Sequence, residues 1–252
     1  MAIIVFDGDD TLWYVEWLYS QAYADFFSFL YKIFGPSTPN IHFVSKIFFA
    51  IESTNAKTWG IRRGRVAESM AETYQKLCEW IHQLSGKEVY REDVERRIRC
   101  IGDQPFDIQN HHWVPGAEET LAKLQERGHL LCLLTKYDQK LWPEKAALLG
   151  VHRFFLPENV LSVDSRKQPQ DFKTLTQKNV QSGTSLFAVG NSEGDLLPVT
   201  VFDDWGGFYI PLATTFPLDK DCLPTSISFE PTPYNHPRVI TLTSIRELAS
   251  HL

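Results

Sequence analysis

The run Ile3-Ile4-Val5-Phe6-Asp7-Gly8-Asp9-Asp10-Thr11-Leu12 constrains the fold of this chain more than any other stretch. Its apolar half is β-branched, lacks polar alternation and is too short for a helix with a face of its own, which suits a parallel strand buried on both sides. In open parallel sheets ligands bind beyond the carboxyl ends of the strands, so Asp7 and Asp9 are expected on that rim. A carboxylate can attack phosphorus and a second one can protonate the leaving oxygen, which makes Asp7 a candidate nucleophile and Asp9 its acid/base partner. A solvated acidic turn accounts for the same residues. An EF-hand loop fits less well, because Leu12 stands where that loop places its glycine.

After Trp13 the apolar spacing turns helical. Glu16 to Phe34, Ile41 to Trp59, Val66 to Leu84 and Glu92 to Ile101 place apolar residues mostly at three- and four-residue steps, punctuated by Gly35-Pro36, Pro39-Asn40, Gly60 and Gly86. Nothing in this module, residues 15–111, alternates with period two. From Val114-Pro115-Gly116 onward strands and helices alternate. A helix ending at Gly128 leads to a strand from His129 to Leu134, stopping at Thr135-Lys136, and then to a helix from Gln139 to Leu149, with Pro143 in its first turn or kinking it. Phe154-Phe155 is a weaker strand candidate, Val160 to Val163 leads toward Lys167, and a helix runs from Asp171 to Asn179. The strand Leu186 to Val189 stops at Gly190-Asn191-Ser192, and helical residues follow through Leu196 and Val199. A short strand at Phe208 to Ile210, an irregular proline-bearing stretch from Pro217 to Pro237, a strand at Val239 to Leu242 and a helix opened by Ser244 with Glu247 complete the pattern.

This alternation predicts an α/β fold: a Rossmann-like, doubly wound parallel sheet built from residues 1–14 and 112–252, with the helical module inserted behind the first strand. Right-handed crossovers put all strand ends on one rim, which receives Asp7, Thr135, Lys167 and Asn191 together.

A phosphate dianion attacked by a carboxylate needs positive charge nearby, and Mg²⁺ with its preference for oxygen ligands supplies it economically. Asp7, the backbone carbonyl of Asp9, Asn191 and Asp195 are candidate ligands, although Asn-Ser-Glu-Gly-Asp taken alone reads as a helix N-cap with acids near the dipole. Lys167 is placed to neutralise the phosphate and orient Asp7. The Thr135 hydroxyl would hold other phosphate oxygens, with Lys136 as further electrostatic support. Taken singly, a loop lysine is solvated and a threonine after a strand caps a helix. Thr11 is expected to fix the turn and steer Asp9, which local capping explains as well. The basic segment from Gly60 to Arg65 reads as a solvated loop or as a reach toward a leaving group, and His111-His112 and Cys132 read as structural.

The formal net charge of -6 argues against general attraction to nucleic acid. Cys78, Cys100, Cys132 and Cys222 show no metal or redox spacing, which fits reduced thiols in a cytoplasmic protein. No signal peptide is evident at the N-terminus, and Asp25, Lys32, Lys46 and Glu52 interrupt the aromatic helices, so none reads as a membrane span.

With these residues in hand, the chain resembles the haloacid dehalogenase-like hydrolase superfamily. Asp7-x-Asp9-x-Thr11 looks like the first motif, Thr135 the second, Lys167 with Pro169 and Phe172 the third, and Gly190-Asn191-Ser192-x-x-Asp195 the fourth. The helical module is similar to the cap of the branch that carries it after the first core strand. The resemblance implies a Mg²⁺-dependent phosphatase working through an aspartyl-phosphate, with a small phosphorylated metabolite as the expected substrate; charge and pattern predict no nucleic-acid or membrane partner, and monomer and homodimer both stay open. The family's dehalogenases lack the second aspartate, so Asp9 points away from halide displacement. Asn191 stands where many members carry aspartate, which lowers the negative charge offered to a metal. A sugar phosphate mutase, or a non-enzymatic phosphorylatable regulator, is the alternative.

Overall fold

The computed structural model describes residues 1–211 and 233–252. They divide into two compact units, one formed by Met1–Val15 with His111–Leu252 and the other by Glu16–Asn110. Most of the stretch expected to be irregular, together with Cys222, lies outside the described residues.

The chain opens with strand β1 (Ala2–Phe6), all five residues of which are buried, as an apolar run flanked on both faces requires. It then enters the helical unit, which contains α1 (Glu16–Phe34), α2 (Ile41–Trp59), α3 (Arg65–Ser85) and α4 (Glu92–Asp103). In α1 the residues Leu18, Ala22, Phe26, Leu30 and Phe34 recur every four positions and are buried. Phe26 and Tyr23 pack on Phe48 of α2, with ring centroids 5.6 and 5.1 Å apart. Asn40 caps α2 by accepting from the Phe43 amide at 3.0 Å, and Gly60 and Gly86 end α2 and α3 with positive φ.

In the other unit β2 (Leu130–Lys136), β3 (Val160–Val163), β4 (Ser185–Gly190), β5 (Trp205–Tyr209) and β6 (Val239–Thr241) join β1 in one sheet, ordered β3-β2-β1-β4-β5-β6. Every pairing in this sheet is parallel. This is the doubly wound order, in which the chain reverses its direction of travel across the sheet between β1 and β4. Ile3 and Val5 point into one face with Cys132, Leu134, Phe172, Leu175, Ala188 and Val199. Phe6 points to the other, where its ring meets Phe155 at 6.1 Å. The crossovers carry α5 (Ala117–Glu126), α6 (Trp142–Leu149), α7 (Pro169–Thr176) and α8 (Leu197–Val201), and α9 (Leu248–His251) closes the chain.

Three expectations change. Phe154-Phe155 is not a strand: it follows a single 3-10 turn at Val151–Arg153, and Phe155 is a buried plug under β1. Its bulk and aromaticity answer to packing rather than to strand pairing. Strand β2 runs on through Thr135 and Lys136, which pair with Ser162 and Val163. The helix expected from Gln139 begins at Trp142, with Pro143 in its first turn. No helix among the described residues is long and apolar enough to cross a membrane, and the described cysteines Cys78, Cys100 and Cys132 are free thiols.

Candidate active site

Asp7 follows β1 directly, and its amide bonds to the Val189 carbonyl of β4 at 2.8 Å, so the carboxylate emerges where the strand order reverses. The loop behind it folds tightly. The Gly8 carbonyl accepts from Leu12 at 2.8 Å, and Asp10 takes φ of 59°. Such a backbone suits Asp better than most residues, and here Asp10 Oδ1 accepts from the Val15 amide at 2.8 Å. Gly8 has no room for a side chain, because a Cβ there would lie 2.8 Å from Thr135 Oγ1 and against the Trp13 ring. That close approach sets Thr135, fully buried on β2, beside the acidic loop. Its hydroxyl has no hydrogen-bond partner among the described residues.

Two more segments converge on Asp7. Lys167 stands just before α7, where the Gln168 amide donates to Asp171 Oδ2 at 2.7 Å and Pro169 begins the helix. Its Nζ donates to Asp7 Oδ1 at 2.5 Å and to Asp195 Oδ1 at 2.6 Å, and all three side chains are buried. Asp195 is held in turn by Ser192, whose amide and hydroxyl donate to Oδ2 at 2.9 and 2.6 Å. Asp7 Oδ2 accepts from the Thr11 hydroxyl at 3.0 Å, so Thr11 steers Asp7 rather than Asp9 as expected.

Asp9 belongs to a second network. Its Oδ1 accepts from Trp13 Nε1 at 2.6 Å and from Lys145 Nζ at 2.8 Å. Lys145, not among the residues singled out by motif or spacing, is fully buried in α6. The signal was present: Lys145 lies three residues after Trp142 and four before the buried Leu149, on the helix's inner face. Lys136 and Asn191 are located by register alone, at the C-terminal end of β2 and immediately after β4, the two strands that flank β1.

Electrostatics separates the two acids. Burial and the neighbouring Asp195 push the Asp7 carboxyl up to about 7 against the pull of Lys167. Burial also works to raise Asp9, but the Lys145 ammonium and the Trp13 hydrogen bond outweigh it and hold that carboxyl below its ordinary value. Burial works to lower Lys167 too, yet Asp7 and Asp195 together raise its ammonium above the usual lysine range. Three carboxylates, Asp7, Asp9 and Asp195, thus face two amines, Lys145 and Lys167, an excess of one acid over base before any anion arrives.

No family model matches the chain. A phosphoglycolate phosphatase of Vibrio cholerae is 25% identical over 112 residues, or 42% of this chain. The match spans about half of that relative, 49% of its length. A haloacid dehalogenase-like family hydrolase from Xanthomonas campestris aligns in structure over 100% of this chain and 90% of its own, with a TM-score of 0.67 at 22% identity. The chain has the haloacid dehalogenase-like fold. A second structure with this fold, a Bacillus subtilis hydrolase bound to magnesium, covers 99% of the chain and 97% of its own at a TM-score of 0.54 and 14% identity. In the haloacid dehalogenase-like frame Asp7, Thr11, Lys167 and Asp195 form one bonded cluster beside Thr135, and Asp9 turns toward Trp13 and Lys145.

Proposed function

We propose that this protein is a Mg²⁺-dependent phosphatase that hydrolyses a small phosphomonoester through a phosphate ester on Asp7. The observation that carries the reading is Lys167, drawn from the loop behind β3 and bonded to Asp7 behind β1 and Asp195 behind β4. A carboxylate with a fixed cation at its side, at the switch point of a parallel sheet, is arranged for attack on an electrophile that brings negative charge.

The residues fit a divalent cation. A phosphate dianion placed among three carboxyl groups needs compensating charge, and the raised Asp7 carboxyl is a group that a cation would relieve. No three His, Cys, Asp or Glu side chains among the described residues form a metal cluster. Oxygens of other kinds would therefore complete the set: an Asp7 carboxylate oxygen, the Asp9 backbone carbonyl, the Asn191 amide oxygen and water. Asp195, with Lys167 on one oxygen and Ser192 on the other, serves to orient Lys167 instead of binding metal. The cation would offset charge on the phosphate oxygens.

Asp7 attacks phosphorus in line, and the bond to the leaving oxygen breaks as Asp9, held below its ordinary value in the free site and pushed toward its acid form by the arriving phosphate's negative charge, gives that oxygen a proton. Lys167 and the Thr135 hydroxyl hold the phosphate oxygens, with Lys136 adding positive charge at the end of β2. Water then releases phosphate, with Asp9 taking its proton. The helical unit, inserted in the chain directly behind this motif, takes the part of a cap domain in this proposal.

The reading is tested with p-nitrophenyl phosphate. Turnover is expected with Mg²⁺ and not with a chelator, acid-quenched protein should carry phosphate on Asp7, and Asp7→Asn should abolish both. A folded Asp7→Asn protein that turns over normally would overturn it.

A further inference from the structure

Asp9 is held differently from Asp7. Among the described residues two side-chain donors reach it, and both meet the same oxygen, Oδ1, with Trp13 Nε1 at 2.6 Å and Lys145 Nζ at 2.8 Å. A carboxylate oxygen offers two lone pairs, so these donors fill Oδ1 and leave Oδ2 to other chemistry. Neither donor has freedom to move. Trp13 is wholly buried, its ring 5.6 Å from that of Trp113 and 6.2 Å from that of Trp142. Lys145 is wholly buried too, with Nζ 4.0 Å from the centroid of the Tyr137 ring and 5.2 Å from that of Trp13. An apolar side chain would fill this aromatic pocket without taking a charge out of water, so stability alone is a poor reason for a lysine here.

We propose that Trp13 and Lys145 are positioning residues that fix Asp9 by Oδ1, so that Oδ2 is the oxygen that moves the proton when water discharges the enzyme. This role rests on the phosphatase reading above. A water oxygen bonds to phosphorus and one of its protons passes to Asp9 Oδ2. The bond between phosphorus and the Asp7 oxygen then breaks, its electron pair returns to Asp7, and inorganic phosphate leaves. A carboxylate free to rotate would offer the water a badly aimed oxygen for much of the time.

The aryl ester isolates this step, because p-nitrophenolate departs without help from a proton. With it, Lys145→Met and Trp13→Phe should lower kcat and KM together, kcat by about 10- to 100-fold, while more phosphate accumulates on Asp7 in the steady state. Lys145→Arg should recover part of kcat. Asp9→Asn combined with Lys145→Met should be no slower than Asp9→Asn alone, because the lysine acts through that carboxylate. A readout free of activity accompanies these: in protein without substrate or Mg²⁺, the Trp13 indole proton, assigned by its loss in Trp13→Phe, should move upfield in Asp9→Asn.

A folded Lys145→Met protein whose kcat/KM falls in step with kcat, with no extra phosphoenzyme, would overturn this role and leave the phosphatase reading intact. An indole proton unmoved by Asp9→Asn would overturn it as well. Wild-type protein inert toward the aryl ester would overturn the phosphatase reading, and this role with it.

Discussion

Lys167 lies 160 residues along the chain from Asp7, yet its ammonium nitrogen is 2.5 Å from that carboxylate. The same nitrogen is 2.6 Å from Asp195, so one buried cation keeps two buried carboxylates from facing each other unscreened. Lys167→Met is expected to destabilise the protein by about 3 to 5 kcal/mol, the range for breaking a buried ion pair from one side. It should also lower kcat by about 100- to 1000-fold, the range for losing a donor aimed at developing charge. Urea unfolding and steady-state kinetics check the two effects separately, and wild-type turnover in the variant would contradict the assigned role.

The metal-free protein should show a pH signature at Asp7. Its folded value, pushed up to about 7, stands above the ordinary 3.8, so the fold favours the protonated acid. Stability linked to this group is complete below its unfolded value and is lost as pH rises through about 7. Mg²⁺ binding competes with that proton, so its stabilisation should grow with pH. The Tm gained with Mg²⁺ is therefore expected to be larger near pH 8 than near pH 6, and to vanish with chelator. Equal gains at both pH values would contradict the link between Asp7 and the cation.

Gly8→Ala tests the tight approach that sets Thr135 beside the acidic loop. The added methyl would press on the Trp13 ring and lie 2.8 Å from Thr135 Oγ1, where both neighbours are buried. Overpacking of this kind costs roughly 1 to 3 kcal/mol. Because the strain falls on the loop between Asp7 and Asp9, kcat on the aryl ester should drop as well. Unfolding midpoints and kinetics at wild-type levels would show that the loop yields more readily than the packing implies.

The helical unit carries its own buried pair. Arg65 bonds to Glu52, whose second oxygen accepts from Ser69 at 2.7 Å, and Asn55 donates to Ser69 at 3.0 Å. Arg65→Met or Glu52→Met alone is expected to cost about 3 kcal/mol, whereas changing both to Met should cost less than the two losses combined. Thermal unfolding of the four proteins measures this, and strictly additive losses would show that the pair is not coupled.

Much of the architecture was legible in local pattern. The buried run before Asp7, the four-residue apolar steps of α1 and the turn residues between helices each follow from short-range chemistry, and the observed elements begin and end close to where those signals fall. The convergence of Asp7, Lys167 and Asp195 was legible as well, because a parallel alternation with right-handed crossovers leaves one rim on which strand ends can meet. Phe154-Phe155 misled because aromatic bulk serves a strand and a core plug equally, and only the space under Phe6 distinguishes them.

The chain's own letters thus determined which elements form, their parallel stacking and which acids reach the rim, since these depend on periodicity and spacing a few residues apart. Tertiary structure alone decided how the two acids divide. A lysine on the inner face of α6 and an indole four residues past Asp9 meet on a single oxygen of that residue, while Thr11 and Lys167 take Asp7. Side-chain direction and burial across 136 residues of separation settle such a pairing, and no local spacing rule encodes them.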